Sequence, residues 1–184
     1  MHTKRQFFQG LIFVLLFSLF NSCIIPTSDV IVASSADMSA IKKIAVWRFR
    51  DGGTIANSGD VATTAIESAL MRRRYSLISY SMIREVLTAE IGYREGMSLD
   101  AGMLTPRVLK RIYEETGVDA LIIGSVSDSW CKISWLPPCW IAVSFRMIST
   151  QSGETIVSAS ASDEGFSMEK AAANMATKAV AKIR

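Results

Sequence analysis

The sequence holds 184 residues, with 20 Lys plus Arg against 17 Asp plus Glu, 49% hydrophobic and 20% charged, which fits one globular domain with a short appendage and not a disordered chain. His2 is the only histidine and lies in a segment that reads as a removable export signal, which argues against a Ser/His/Asp or Cys/His triad and against a His-ligated metal in the mature chain. Taking Lys4 and Arg5 of that segment from the 20 basic residues leaves 18 against 17 acidic ones, a near-neutral balance that gives no footing for nucleic-acid binding.

Residues 1–22 have the parts of a signal peptide: Lys4 and Arg5, then an apolar run from Leu11 to Phe20 broken only by Ser18, then Asn21-Ser22. The run is shorter than the roughly 20 residues a permanent membrane helix needs. Leu19-Phe20-Asn21-Ser22-Cys23 resembles a bacterial lipobox, with small Ser22 before the cysteine and with Phe20 and Asn21 departing from the usual residues. The resemblance implies that Cys23 is acylated, palmitate included, and Ile24 after it implies the outer membrane. The plainer reading is an incidental cysteine at the end of a secretory signal. Acyl chains add about 0.8 kcal/mol per buried methylene. Residues 23–40 then form the lipidated cysteine and a tether rich in Ser, Ala and Asp, with a root-mean-square reach of about 20–25 Å.

Residues 41–184 read as a single domain. Ile41 to Phe49 is a β-branched and aromatic strand that ends at Arg50-Asp51-Gly52-Gly53. Ala62, Ala65, Ile66, Ala69 and Leu70 make one helical stripe, Tyr75 to Tyr80 a second strand, and Ile83, Val86, Leu87 and Ile91 a second stripe. Gly92 to Thr105 is a loop. Thr105-Pro106 opens a third helix, which Gly117 stops. Val118 to Trp130 is apolar on both faces and therefore central. Trp140 to Ser149 alternates as a half-exposed strand, Gln151 to Glu154 turns, Thr155 to Ser162 is another strand, and Ala172, Met175, Ala176, Ala179 and Ile183 mark a closing helix. The order β-α-β-α-α-β-β-β-α predicts an α+β domain, a mixed sheet with helices packed on it.

Three segments in this order, behind a lipobox, resemble the CsgG-like lipoprotein superfamily, which includes the TolB N-terminal domain and LpoB-type activators of penicillin-binding proteins. They are the opening strand Ile44 to Phe49 with its helix and Tyr75-Ser76-Leu77-Ile78, the segment Gly117-Val118-Asp119-Ala120-Leu121-Ile122-Ile123-Gly124-Ser125-Val126, and Val143 to Glu154. The resemblance covers nearly all of residues 41 to 184. It implies a periplasmic domain acting as a protein-interaction or accessory module of an envelope assembly, secretion or cell-wall machine. Pore members carry two long membrane-spanning hairpins, and a membrane strand needs about 9–11 residues. Only Cys131 to Cys139 and Ser162 to Phe166 are available here, so a subunit of a secretion pore is the alternative and not the main reading.

The carboxylates Asp51, Asp60, Glu67, Glu85, Glu90, Asp119 and Asp128 show no spacing that forces two together as general acid and base, so an envelope enzyme is the lesser alternative and neither cofactor, metal nor small-molecule substrate is expected. Gly52-Gly53 lacks a phosphate-loop pattern and reads as a turn. Arg72-Arg73-Arg74 falls at a helix C-terminus, where cations offset the dipole, with contact to an anionic lipid headgroup, glycan or acidic partner as the alternative. With Cys23 acylated, an oxidising compartment leaves Cys131 and Cys139 to form a disulfide, against the alternative of two reduced, packed thiols. If they face each other, Trp130 opposes Trp140 and Ser125 opposes Phe145. The tip between them holds Trp130, Trp135, Pro137 and Trp140, apolar residues at a hairpin end. They either contact a partner or a membrane interface, or fold back onto the sheet. Together with the resemblance, these features predict a lipid-anchored outer-membrane protein, facing the periplasm, that binds another envelope protein through this tip.

Overall fold

The computed structural model describes residues 27–33, 37–132 and 138–183. Cys23, Trp135 and Pro137 lie outside the described residues. Six strands form one sheet: β1 Ser28–Val32, β2 Lys43–Val46, β3 Ser76–Ile78, β4 Ala120–Cys131, β5 Cys139–Ser149 and β6 Thr155–Gly165, in the spatial order β1-β6-β5-β4-β2-β3. Among the described residues four α-helices accompany them, α1 Ser58–Arg72, α2 Tyr80–Ile91, α3 Pro106–Thr116 and α4 Met168–Ala181. β2 runs parallel to β3 and β4, and the remaining pairs are antiparallel. The expected α+β fold with a mixed sheet is what forms, with β4 central as its two apolar faces require.

Local chemistry sets the helix ends. Thr105 Oγ1 accepts the Val108 N–H at 3.4 Å with Pro106 in the first helical position, and Gly117 closes α3 at φ 65, a conformation that costs glycine little. α1 and α4 cover one face of the sheet, burying Ile66, Leu70 and Met175 against Ile122, Ile141, Val143 and Met147. α2 and α3 cover the other face, burying Ile83, Leu87, Leu109 and Ile112 against Ala45, Leu121 and Ile148. Fully burying a side chain of this size contributes about 1.5–3 kcal/mol relative to leaving it exposed. The second helix pair sits over β2 and the start of β4, so the β1-β6-β5 part of that face, with Ser144, Arg146, Ser158 and Ser160, is exposed.

The residues expected as a tether hold a strand instead. β1 pairs along its length with β6, from Ser28 opposite Ala161 to Val32 opposite Val157, and Val30 and Val32 pack on the core. Its partner lies 135 residues away at the Thr27 to Ser162 contact, so the pairing that turns Ser-Asp-Val-Ile-Val into a strand is invisible to a local pattern. β6 also continues past Ser162 to Gly165, and the segment read as a connection is sheet.

The family-like motif at the start of β4 has a structural purpose. Asp119 Oδ2 accepts the backbone N–H groups of Lys42 at 2.9 Å and Lys43 at 2.8 Å, which fixes the beginning of β2. The buried Thr150 hydroxyl donates to the Val118 carbonyl and, at 2.9 Å, to that of Asp119. Gly124 leaves room for two aromatic rings, since a β-carbon there would lie 2.7 Å from Cβ of Phe145 and 2.9 Å from the Phe49 ring.

Candidate functional site

Cys131 and Cys139 form a disulfide with α-carbons 4.0 Å apart, and Trp130 opposes Trp140 in the next row. Closing a loop this short stabilises by roughly 2–3 kcal/mol on the chain-entropy account. Trp130 is half-buried, with Lys132 Nζ 6.0 Å from its ring centroid. Trp140, expected as a partner contact, is buried, 8% exposed, and is held within the protein. Phe166, which the sequence reading passed over, is 77% exposed one residue beyond Gly165, itself opposite Cys139. Its position just before the Ser167 cap of α4 is where an apolar residue often staples the first turn, and its exposure shows that it does not do so here.

Below the disulfide the register departs from expectation. A bulge between Val126 and Asp128 takes up Ser127, so Ser125 opposes Ser144 and Gly124 opposes Phe145. The loop after β2 accounts for it: Val126 N–H donates to the Arg50 carbonyl at 2.9 Å, Thr54 N–H to that of Ser129 at 2.7 Å, and a β-carbon on Gly52 would lie 2.0 Å from the Val126 oxygen. Gly52-Gly53 is therefore a close-packing device against β4 and not a phosphate loop. The shift aligns Asp29, Ser160, Ser144, Ser125 and Arg50 across the sheet, with Ile31, Ser158 and Arg146 in the row beside them. They line an open trough of about 440 Å³. Arg50 reaches Asp100 at 3.6 Å. This surface can hydrogen-bond a ligand or partner, and it carries no imidazole to activate a hydroxyl.

A smaller cleft of about 290 Å³ lies past the end of β2. Trp47 stacks tilted on Tyr80 with centroids 4.5 Å apart and meets the edge of Tyr93 at 5.0 Å. Burial, with help from a hydrogen bond to Tyr80, pushes the Tyr93 hydroxyl up to about 12. The Asp60 carboxylate, hydrogen-bonded to Arg48, raises that guanidinium above its ordinary value. At the far end of α1, Arg73 donates to the Ala181 carbonyl at 3.2 Å and Arg72 to Thr177 at 3.4 Å, so the arginine cluster ties α1 to α4. Among the described residues no group of three or more His, Cys, Asp or Glu side chains could hold a metal ion, and no helix is long and apolar enough to cross a membrane.

No family model matches the chain, and no curated protein sequence matches it. Solved structures do. A PelC dodecamer from Paraburkholderia phytofirmans is similar over 86% of this chain and 97% of that one, with 13% identity and a TM-score of 0.58. Lipoprotein GNA1162 from Neisseria meningitidis overlaps 67% of this chain and 83% of its own at 20% identity and TM-score 0.47. The LpoB C-terminal domain from Escherichia coli overlaps 66% and 81% at 16% identity and TM-score 0.46. The PelC comparison shows a shared fold.

Proposed function

We propose that this protein is an outer-membrane lipoprotein, anchored through acylated Cys23 on the periplasmic face, that serves as a non-enzymatic interaction or accessory module of an envelope assembly, secretion or cell-wall machine. The observation that supports it most is the disulfide that joins Cys131 to Cys139 beside Trp130, with Trp135 and Pro137 between the two cysteines in sequence. A stapled tip loses less conformational entropy on docking than an open loop. The CsgG-like and TolB-like part of the resemblance belongs to the same reading and rests on the three motifs given above.

Two measurements test it. Metabolic labelling with a clickable fatty acid should mark the wild type and not Cys23→Ala, and an unlabelled wild type would remove the anchor. Crosslinking of the exported protein in intact envelopes should capture a partner whose yield falls with Trp130→Ala or Trp135→Ala. Unchanged yield in both would remove the tip as the docking element. A second reading is self-assembly, favoured by the PelC protein of the same fold having been crystallised as a dodecamer. Sedimentation of the purified lipoprotein should then give one large species in place of a monomer.

A further inference from the structure

We infer that the disulfide end of the sheet lies against the lipid surface, with Phe166 seated at the membrane interface, so that the domain is held in a fixed orientation instead of hanging on a tether. The inference rests on the proposed acylation of Cys23 and adds a second, side-chain contact to it.

Topology carries the argument. β1 is antiparallel to β6, and β6 runs toward the disulfide row, so the chain reaches β1 from the disulfide end. The Thr27 carbonyl accepts the Ser162 N–H at 2.8 Å, and the two hydroxyls lie 3.2 Å apart. Ser162 is three residues before Gly165, which stands opposite Cys139, a distance of about 10 Å along a strand. Cys23 is four residues before Thr27, so whatever path those residues take, their α-carbons are at most about 14 Å apart. An acyl group on Cys23 therefore brings the bilayer to this end of the sheet. The opposite end, with the turn before Thr155, is seven residues further along β6, about 23 Å away.

The side chains at the near end suit that position. Phe166 is 77% exposed, the most exposed large hydrophobic residue among those described. Lys132, its Nζ 6.0 Å from the Trp130 ring centroid, adds a cation at the same end, suited to lipid phosphate. Of the acidic groups nearby, Asp163 is buried with Lys178 Nζ at 2.7 Å, Glu164 is exposed opposite Trp140, and Glu169 is exposed in the first turn of α4. At the opposite end Gln151, Ser152 and Glu154 form an exposed polar turn.

The test uses the full acylated chain in phosphatidylethanolamine–phosphatidylglycerol vesicles, with acyl chains brominated either near the headgroup or near the methyl end. Phe166→Trp should add emission that the shallow bromine quenches and the deep bromine spares, while emission added by Gln151→Trp should escape both. Fatty-acid labelling with no quenching at Phe166→Trp overturns the seating and leaves the anchor standing. Crosslinks from position 166 to another protein, again without quenching, overturn it in favour of a protein-docking surface. If Cys23 carries no label, the anchor fails. Vesicles added to that unacylated chain then decide the seating separately, since shallow quenching keeps it and none ends it.

Discussion

At the end of the sheet near Asp119 the chain is fastened by short-range polar bonds: the carboxylate takes the Lys42 and Lys43 N–H groups, and Thr150 satisfies the carbonyls of Val118 and Asp119. At the other end a covalent bond does the fastening, and the residues around it, Trp130 and Phe166, leave apolar surface in contact with solvent. At the first end these polar groups serve the fold. At the second the disulfide closes the hairpin, and the docking proposed above would use the side chains around it.

Substitutions should separate the two ends. The largest effect belongs to Asp119→Ala, which strips two backbone N–H groups of a charged acceptor and should cost about 3 kcal/mol in urea unfolding, with partner crosslinking unchanged. Replacing Cys131 and Cys139 together by Ser should cost about 2 kcal/mol and also reduce crosslinking. A cost without loss of crosslinking would show that the bond serves stability alone. Thr150→Val should cost about 1–2 kcal/mol by calorimetry, again without touching the partner. Trp130→Ala should change stability by less than about 0.5 kcal/mol while crosslinking falls, and a large destabilisation would erase the division between the ends.

Tyr93, in the cleft beyond β2, supplies a titration that involves neither end. Its folded-state pKa is raised to about 12 from 10.0, so the neutral hydroxyl is favoured in the folded protein. The stability it contributes is fully present below pH 10 and is lost as pH rises from there toward 12. Tyr93→Phe should flatten that part of a stability–pH profile and leave the neutral region unaffected in shape.

What the sequence disclosed follows the same division. Gly117 and Gly153 announced the far end because caps and turns are written in adjacent residues, and the stripe Val108, Leu109, Ile112 announced the buried face of α3, whereas the hold of Asp119 on Lys42 and Lys43 was not legible because those partners lie 77 and 76 residues away. The Cys131 to Cys139 pairing and the Trp130 to Trp140 row were legible from spacing and compartment. The register beyond them was not, because the bulge at Ser127 is produced by the loop carrying Gly52, more than 70 residues away. Trp140 was expected at the surface on composition and is buried, and Phe166 stood alone in a polar stretch without a pattern to mark it. β1 was hidden for the same reason as the bulge, its meaning lying in β6.

That distant pairing bears on the order of events in export. On the proposed export route the chain would emerge N-terminus first, so Ser28 to Val32 would arrive well before the Thr155 to Gly165 segment they need. Contacts this far apart in sequence form late. Acylation would therefore take place on a chain whose first strand is still unpaired, and the last step of folding, the docking of β1 onto β6, would be the one that reels the finished domain in to its anchor.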